Sequence, residues 1–173
     1  MKIKVDKLKN VAGIRSELEF TLSPEDAADS DLQLGSAPLV FKGAAENLDR
    51  VIEVTGTVEA VLKGVCDRCG EDLEYKVLAD FSETFTNLAD KLPDEDDGEK
   101  CFHLFNGDEI DLWPYVEQAI FLAKPMKILC KEDCRGLCPQ CGQNLNLEDC
   151  SCDNDPIDPR LAVLADLLKE IDD

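Results

Sequence analysis

The chain has 173 residues, 44% of them apolar and 32% charged, a composition that folds around a core and excludes an intrinsically disordered protein. Its formal net charge is −20, from 18 basic and 38 acidic residues. That balance disfavours long-range attraction to nucleic acid or anionic membrane and favours basic protein partners.

The opening MKIKVDKLKN is basic but leads into no apolar segment of the secretory kind. Apolar runs stay far below the roughly 20 residues that cross a bilayer, so no membrane association is expected. A cytoplasmic, reducing location follows, where structural disulfides are rare. The first 35 residues hold an opening strand or two, IKVDKL and IRSELEFTL, then an acidic linker punctuated by Pro24 and Gly35.

From residue 38 the pattern sharpens. PLVFKGAAEN supplies a strand. In VIEVTGTVEAVLK, Ile52, Val54, Gly56, Val58, Ala60 and Leu62 alternate with Glu53, Thr55, Thr57 and Glu59. Period two marks a half-buried strand. LEYKVLADFSETF repeats it with Leu73, Tyr75, Val77, Ala79, Phe81 and Phe85 inward. Between the two lies GVCDRCGED, which places Cys66 and Cys69 on the turn of a β-hairpin.

Residues 90–100, DKLPDEDDGEK, read as a solvated acidic loop or a docking patch for a basic partner. IDLWPYVEQAIFLAKP then predicts a helix. Asp111 is its N-cap, Pro114 falls in the first turn, and Pro125 ends it. Leu112, Val116, Ala119, Ile120 and Ala123 form its apolar face. DPRLAVLADLLKEIDD, with Asp158 as N-cap, predicts an amphipathic terminal helix that docks on the body or on a partner.

Six more cysteines, Cys130, Cys134, Cys138, Cys141, Cys150 and Cys152, fall within 23 residues. A metal thiolate site needs four sulfurs about 2.3 Å from one ion. A CxxC turn aims two sulfurs together, and a following glycine lets that turn close with positive φ. Cys66–Gly70 and Cys138–Gly142 both have this form, which points to zinc. An iron–sulfur cluster uses the same ligands. A redox dithiol asks for a CxxC opening a helix, which neither knuckle does.

The compact partition groups Cys138, Cys141, Cys150 and Cys152 at one ion, and Cys66, Cys69, Cys130 and Cys134 at a second. The competing partition joins the two CxxCG knuckles in a single zinc ribbon. Closed tetrathiolate sites are structural, with no open position for catalytic water. Cys101 is left over as a small buried hydrophobe.

The lone histidine, His103, reads as a satisfied core residue. Phosphate-cradling loops, nucleophile elbows and dinucleotide fingerprints are absent from the sequence. A non-enzyme without a small-molecule substrate is expected.

Four pieces in order, CDRCG, EIDLWPYVEQAIFLAKP, CRGLCPQCGQNLN and DPRLAVLADLL, resemble the YceD family, the large ribosomal RNA subunit accumulation proteins. The resemblance covers roughly residues 50 to 168; the N-terminal third is similar only in length and β character. It implies a role in large-subunit ribosomal RNA accumulation, as an assembly or precursor-processing factor without known catalysis. Members vary in the C-terminal cysteine block, which suits a stabilising metal.

The expected fold is α+β. It comprises an antiparallel β-meander or partly open barrel with one helix over 1–128, and a zinc-binding segment and terminal helix over 129–173 packed on it. Two structural zinc ions are expected. The partner is a large-subunit precursor, met through ribosomal RNA or through a basic ribosomal protein. Lys63, Arg68, Lys124, Lys127, Lys131 and Arg135 are the candidate RNA contacts, and a charge of −20 argues for the protein partner.

Overall fold

The computed structural model describes residues 1–27, 31–48, 51–88 and 102–152. The fold is α+β, and the chain forms two compact units. One, the body, comprises Met1–Gly64 and Asp72–Ile128; the other, the cysteine unit, comprises Val65–Glu71 and the chain from Leu129 onward.

The body is built on a five-stranded sheet. Its strands are β2 (Arg15–Leu22), β3 (Leu39–Asn47), β4 (Val51–Val65), β5 (Asp72–Thr86) and β6 (Phe102–Leu104), in that spatial order. A separate two-stranded ribbon pairs β1 (Lys2–Lys4) with β7 (Glu109–Asp111). The period-two pattern survives in the burial: Ile52, Val54, Val58, Ala60 and Leu62 of β4 are buried, as are Val77, Ala79, Phe81 and Phe85 of β5. Fully burying such a side chain stabilises by roughly 1.5–3 kcal/mol. Phe41 of β3 meets Phe81 edge-on, centroids 5.3 Å apart, an arrangement that suits the ring quadrupoles.

β3 and β4 run antiparallel, with Gly43 directly opposite Gly56. A Cβ on Gly43 would lie 2.2 Å from the Thr55 carbonyl oxygen, and one on Gly56 would lie 2.4 Å from that of Lys42. The backbones approach so closely there that no side chain fits on either strand.

β6 departs from a pure meander, because it pairs with β5 in parallel, Thr84 beside Phe102. A parallel neighbour requires a crossover of a dozen or more residues, and the connection between Thr86 and Phe102 supplies that length. At three residues, β6 is too short to show a period in CFHLF. The acidic stretch 90–100, Cys101 and the terminal helix expected from Asp158 lie outside the described residues.

The helix α1 spans Trp113–Ala123. Val116 and Ile120 are buried, with Leu112 before them, while Ala119 and Ala123 pack at the core's margin. Asp111 ends β7 instead of occupying the N-cap, where Leu112 sits. It still does a cap's chemistry: its carboxylate accepts the Trp113 N–H at 3.0 Å and pairs with the terminal ammonium at 3.2 Å. Burial works to raise its pKa, but the Trp113 amide and the ammonium outweigh it, and the carboxyl is held below its usual range. Lys124 turns extended (φ −59°, ψ 132°), the conformation a following proline imposes.

His103 is half-buried. Its Nε2 lies 2.8 Å from Glu83 Oε2, and its ring packs on Tyr115 at 4.2 Å between centroids. Among the described residues, no helix is long and apolar enough to cross a membrane.

Candidate metal centre

The two CxxCG knuckles fold into the same backbone shape. Cys66 N–H donates to the Glu71 carbonyl at 2.8 Å and Gly70 N–H to the Cys66 carbonyl at 2.9 Å. The equivalent bonds of the second knuckle, Cys138 to Gln143 and Gly142 to Cys138, measure 2.8 and 2.9 Å. Gly70 and Gly142 share a φ of +74°, a left-handed turn that costs an L side chain about 1–2 kcal/mol and glycine nothing.

The eight sulfurs gather into two groups, Cys66, Cys69, Cys130 and Cys134 in one, Cys138, Cys141, Cys150 and Cys152 in the other. Within each group the sulfurs lie no more than 4.8 Å apart, and each group could hold a metal ion. The two knuckles therefore do not share a site as a single ribbon would require. In the first group, Cys66 and Cys134 sulfurs are 3.8 Å apart and those of Cys69 and Cys130 are 3.6 Å apart. A tetrahedron of thiolates about 2.3 Å from one ion has edges of about 3.8 Å, so the spacing fits a single ion. Thiolates on different irons of a cluster stand further apart.

Residues 129–152 contain no helix. Gly136 (φ +75°) breaks the face that spacing alone would draw through Cys130, Cys134 and Cys138. A Cβ there would stand 3.0 Å from the Arg68 carbonyl oxygen. Leu137 N–H donates to that same oxygen at 3.2 Å, and the Arg68 guanidinium donates to the Cys134 carbonyl at 2.8 Å. Arg68 thereby ties the hairpin tip to the Cys134 turn.

Four adjacent thiols cannot all ionise without a cation, and they divide accordingly. Burial works to raise Cys66, but backbone N–H groups of Cys130, Cys69 and Arg68 outweigh it and bring the thiol down to about 6. Cys134 is lowered too: burial opposes, while the Asn146 amide and Gly136 N–H prevail. Cys130 is pushed up to about 12 by burial and by its three sulfur neighbours.

The second group repeats the division. Cys138 is lowered to about 6 by the N–H groups of Cys141 and Gln140, against its burial. Cys152 is raised to about 12 by the Cys141 sulfur, by burial and by Cys138. A bound metal cation would supply the missing charge, and each group could hold one.

Neighbours that the cysteine spacing does not reveal complete the centre. Asn146 Nδ2 donates to the Cys134 sulfur at 3.3 Å, and Asn144 Nδ2 donates to Glu71 Oε1 at 2.9 Å. The two asparagines of NLN after the second knuckle were their only trace in the sequence.

The candidate RNA contacts divide between the units. Lys63, Lys124 and Lys127 belong to the body, and Arg68, Lys131 and Arg135 to the cysteine unit. Arg68 is engaged as above, Arg135 pairs with Asp149, and Lys124 lies 3.9 Å over the Phe121 ring. Lys63, Lys127 and Lys131 are exposed.

An uncharacterized protein of Mycobacterium tuberculosis is 33% identical over 151 residues, 83% of this chain and 72% of its own length. The uncharacterized protein YlbN of Bacillus subtilis is 30% identical over 139 residues, 79% of this chain and 78% of the relative. The large ribosomal RNA subunit accumulation protein YCED homolog 1, chloroplastic, of Arabidopsis thaliana is 23% identical over 145 residues. That alignment covers 69% of this chain but only 45% of the plant protein. No solved structure matches. The profile of the large ribosomal RNA subunit accumulation protein YceD matches residues 54–168, from the β4 alternation through both cysteine groups, and the chain belongs to the YceD family.

Proposed function

We propose that this protein is a non-catalytic factor in large-subunit ribosomal RNA accumulation and large ribosomal subunit assembly, and that each cysteine group holds a structural zinc ion. The family match over residues 54–168 carries the ribosomal part. The metal part rests on a feature of the cysteine unit. Its buried apolar side chains, among the described residues, are Cys66, Cys69, Cys134 and Cys138 alone. The described part of the unit thus offers thiols where a core would place aliphatic side chains, and a structural metal would supply folding energy there. Four thiolates at single-ion spacing favour zinc over a multi-iron cluster.

In this reading zinc holds the hairpin tip and the segment after α1 in one shape. His103, engaged by Glu83 and Tyr115, is a structural residue. The protein works in the cytoplasm on a large-subunit precursor, and Lys63, Arg68, Lys124, Lys127, Lys131 and Arg135 are the candidate contacts of the reading in which it meets ribosomal RNA.

A second reading is an acidic adaptor that holds a basic ribosomal protein without touching RNA. The net charge of −20 and the engagement of Arg68 and Arg135 within the protein favour it. Gradient sedimentation of the tagged protein, with and without ribonuclease, separates the two. Ribonuclease-sensitive co-migration with large-subunit precursors that is lost in Lys127→Glu/Arg135→Glu supports RNA contact. Unchanged association of the double variant, or residence near the top of the gradient with a basic ribosomal protein, supports the adaptor. Absence from both fractions defeats the ribosomal reading.

A further inference from the structure

The loop that closes the second cysteine group also reaches the first. Between Cys141 and Cys150 the chain runs GQNLNLED, and Asn146 sits at its centre. Asn146 Nδ2 donates to the Cys134 sulfur at 3.3 Å, while its Oδ1 accepts the Arg135 N–H at 2.9 Å. One side chain thus bonds the sulfur of Cys134 and the backbone of the residue after it.

Asn144 holds Asn146 in place. Its Oδ1 accepts from both Asn146 N and Asn146 Nδ2, each at 2.9 Å. Its own Nδ2 donates to Glu71 Oε1 on the hairpin tip, and the other Glu71 oxygen lies 4.0 Å from the Cys69 sulfur. The loop is further tied by Leu145 N–H donating to the Gly136 carbonyl at 2.9 Å and by a β-bridge between Leu137 and Asn144. The first group therefore receives a hydrogen bond from a segment flanked at both ends by cysteines of the second.

We infer that Asn146 is a positioning residue that couples the two metal sites, so that an ion at Cys138, Cys141, Cys150 and Cys152 strengthens binding at Cys66, Cys69, Cys130 and Cys134. This rests on the reading that both groups bind metal. An N–H directed at a thiolate disperses its charge and fixes its orientation, and losing such a neighbour typically weakens metal binding 10–100-fold. With the second group empty, residues 142–149 must be ordered at the expense of their conformational entropy before Asn146 meets Cys134. With it filled, both ends are already pinned. By linkage, the first ion strengthens the second by the same factor.

The test is cobalt titration of the full chain, following thiolate charge-transfer absorption together with native mass spectrometry. Wild type should take up two ions with the one-ion species scarce at half saturation. Asn146→Asp keeps the acceptor for Arg135 N–H but removes the donor to Cys134. It should lower first-site affinity by about tenfold and make the one-ion species prominent. Cys141→Ser, which disables the second site, should weaken the first by a similar factor, and adding Asn146→Asp should then change little.

Full additivity of the two substitutions, or wild-type affinity in Asn146→Asp, overturns the coupling while leaving two metal sites standing. No thiolate absorption from wild type overturns the metal reading and the coupling with it. Asn146→Ala, which introduces no charge beside the sulfurs but also gives up the acceptor for Arg135 N–H, should show the same loss of first-site affinity and of coupling if the aspartate displaces both ions.

Discussion

In the body, one continuous cluster of buried side chains runs from Ile3 through Phe41, Val54 and Phe81 to Ile120. Among the described residues of the cysteine unit the buried apolar side chains are thiols, while Val65, Leu137 and Leu147 are 50%, 45% and 74% exposed. The body is held by aliphatic and aromatic packing, which is spread over many contacts and tolerates small losses. In the described part of the cysteine unit, the proposed metal sites and the hydrogen bonds that aim their sulfurs would take that role.

The largest expected effect breaks the cysteine unit while sparing the body. Cys69→Ser removes a buried sulfur of the first proposed site with little change of volume, and strong chelation would strip both proposed ions. Structural zinc in small modules is worth apparent free energies of about 10–16 kcal/mol, so either treatment should unfold the unit locally. Hydrogen exchange reads this directly. Protection of the Cys66 and Gly70 amides should vanish in Cys69→Ser, and under chelation that of Cys138 and Gly142 as well, while that of β4 amides between Ile52 and Ala60 persists. Equal loss in both units would show that packing and metal are one cooperative system.

The converse break is Gly56→Ala. Its Cβ would stand 2.4 Å from a backbone oxygen, where no side-chain adjustment relieves the clash. Overpacking of this kind costs about 1–3 kcal/mol. The denaturation midpoint of the body should fall, with the cobalt spectrum of the cysteine unit unchanged. A shifted spectrum would mean that sheet geometry sets the sulfur positions.

The smallest effect sharpens the body's side of the contrast. The folded-state pKa of Asp111 is lowered, so it contributes stability that is present above the ordinary carboxylate pKa and lost as pH falls through the lowered value. Asp111→Asn should flatten that acid limb by removing its small contribution at neutral pH, small because the carboxylate is largely solvated and such exposed pairs are weak. A denaturant midpoint measured across the acid range checks it; an unchanged slope would assign the acid sensitivity elsewhere.

Much of this protein was legible in its residues. Alternation placed β4 and β5, because a half-buried strand must put every second side chain inward. CxxCG placed both knuckles, because that turn needs glycine at positive φ. Pro114 and Pro125 bracketed α1, and four ordered motifs pointed to the family. Each of these is a local rule, acting within a few residues.

Tertiary structure decided what depends on distant partners. Cys66 meets Cys134 across 68 positions and Cys69 meets Cys130 across 61, and spacing alone could not choose that pairing over a single ribbon. β6 is parallel because its crossover allows it, which three residues cannot announce. Gly43 and Gly56 are forced only by their meeting in register. Asn146 gains its role from the sulfur it reaches across the fold, since an asparagine in a loop has many partners available and only the closed chain selects one.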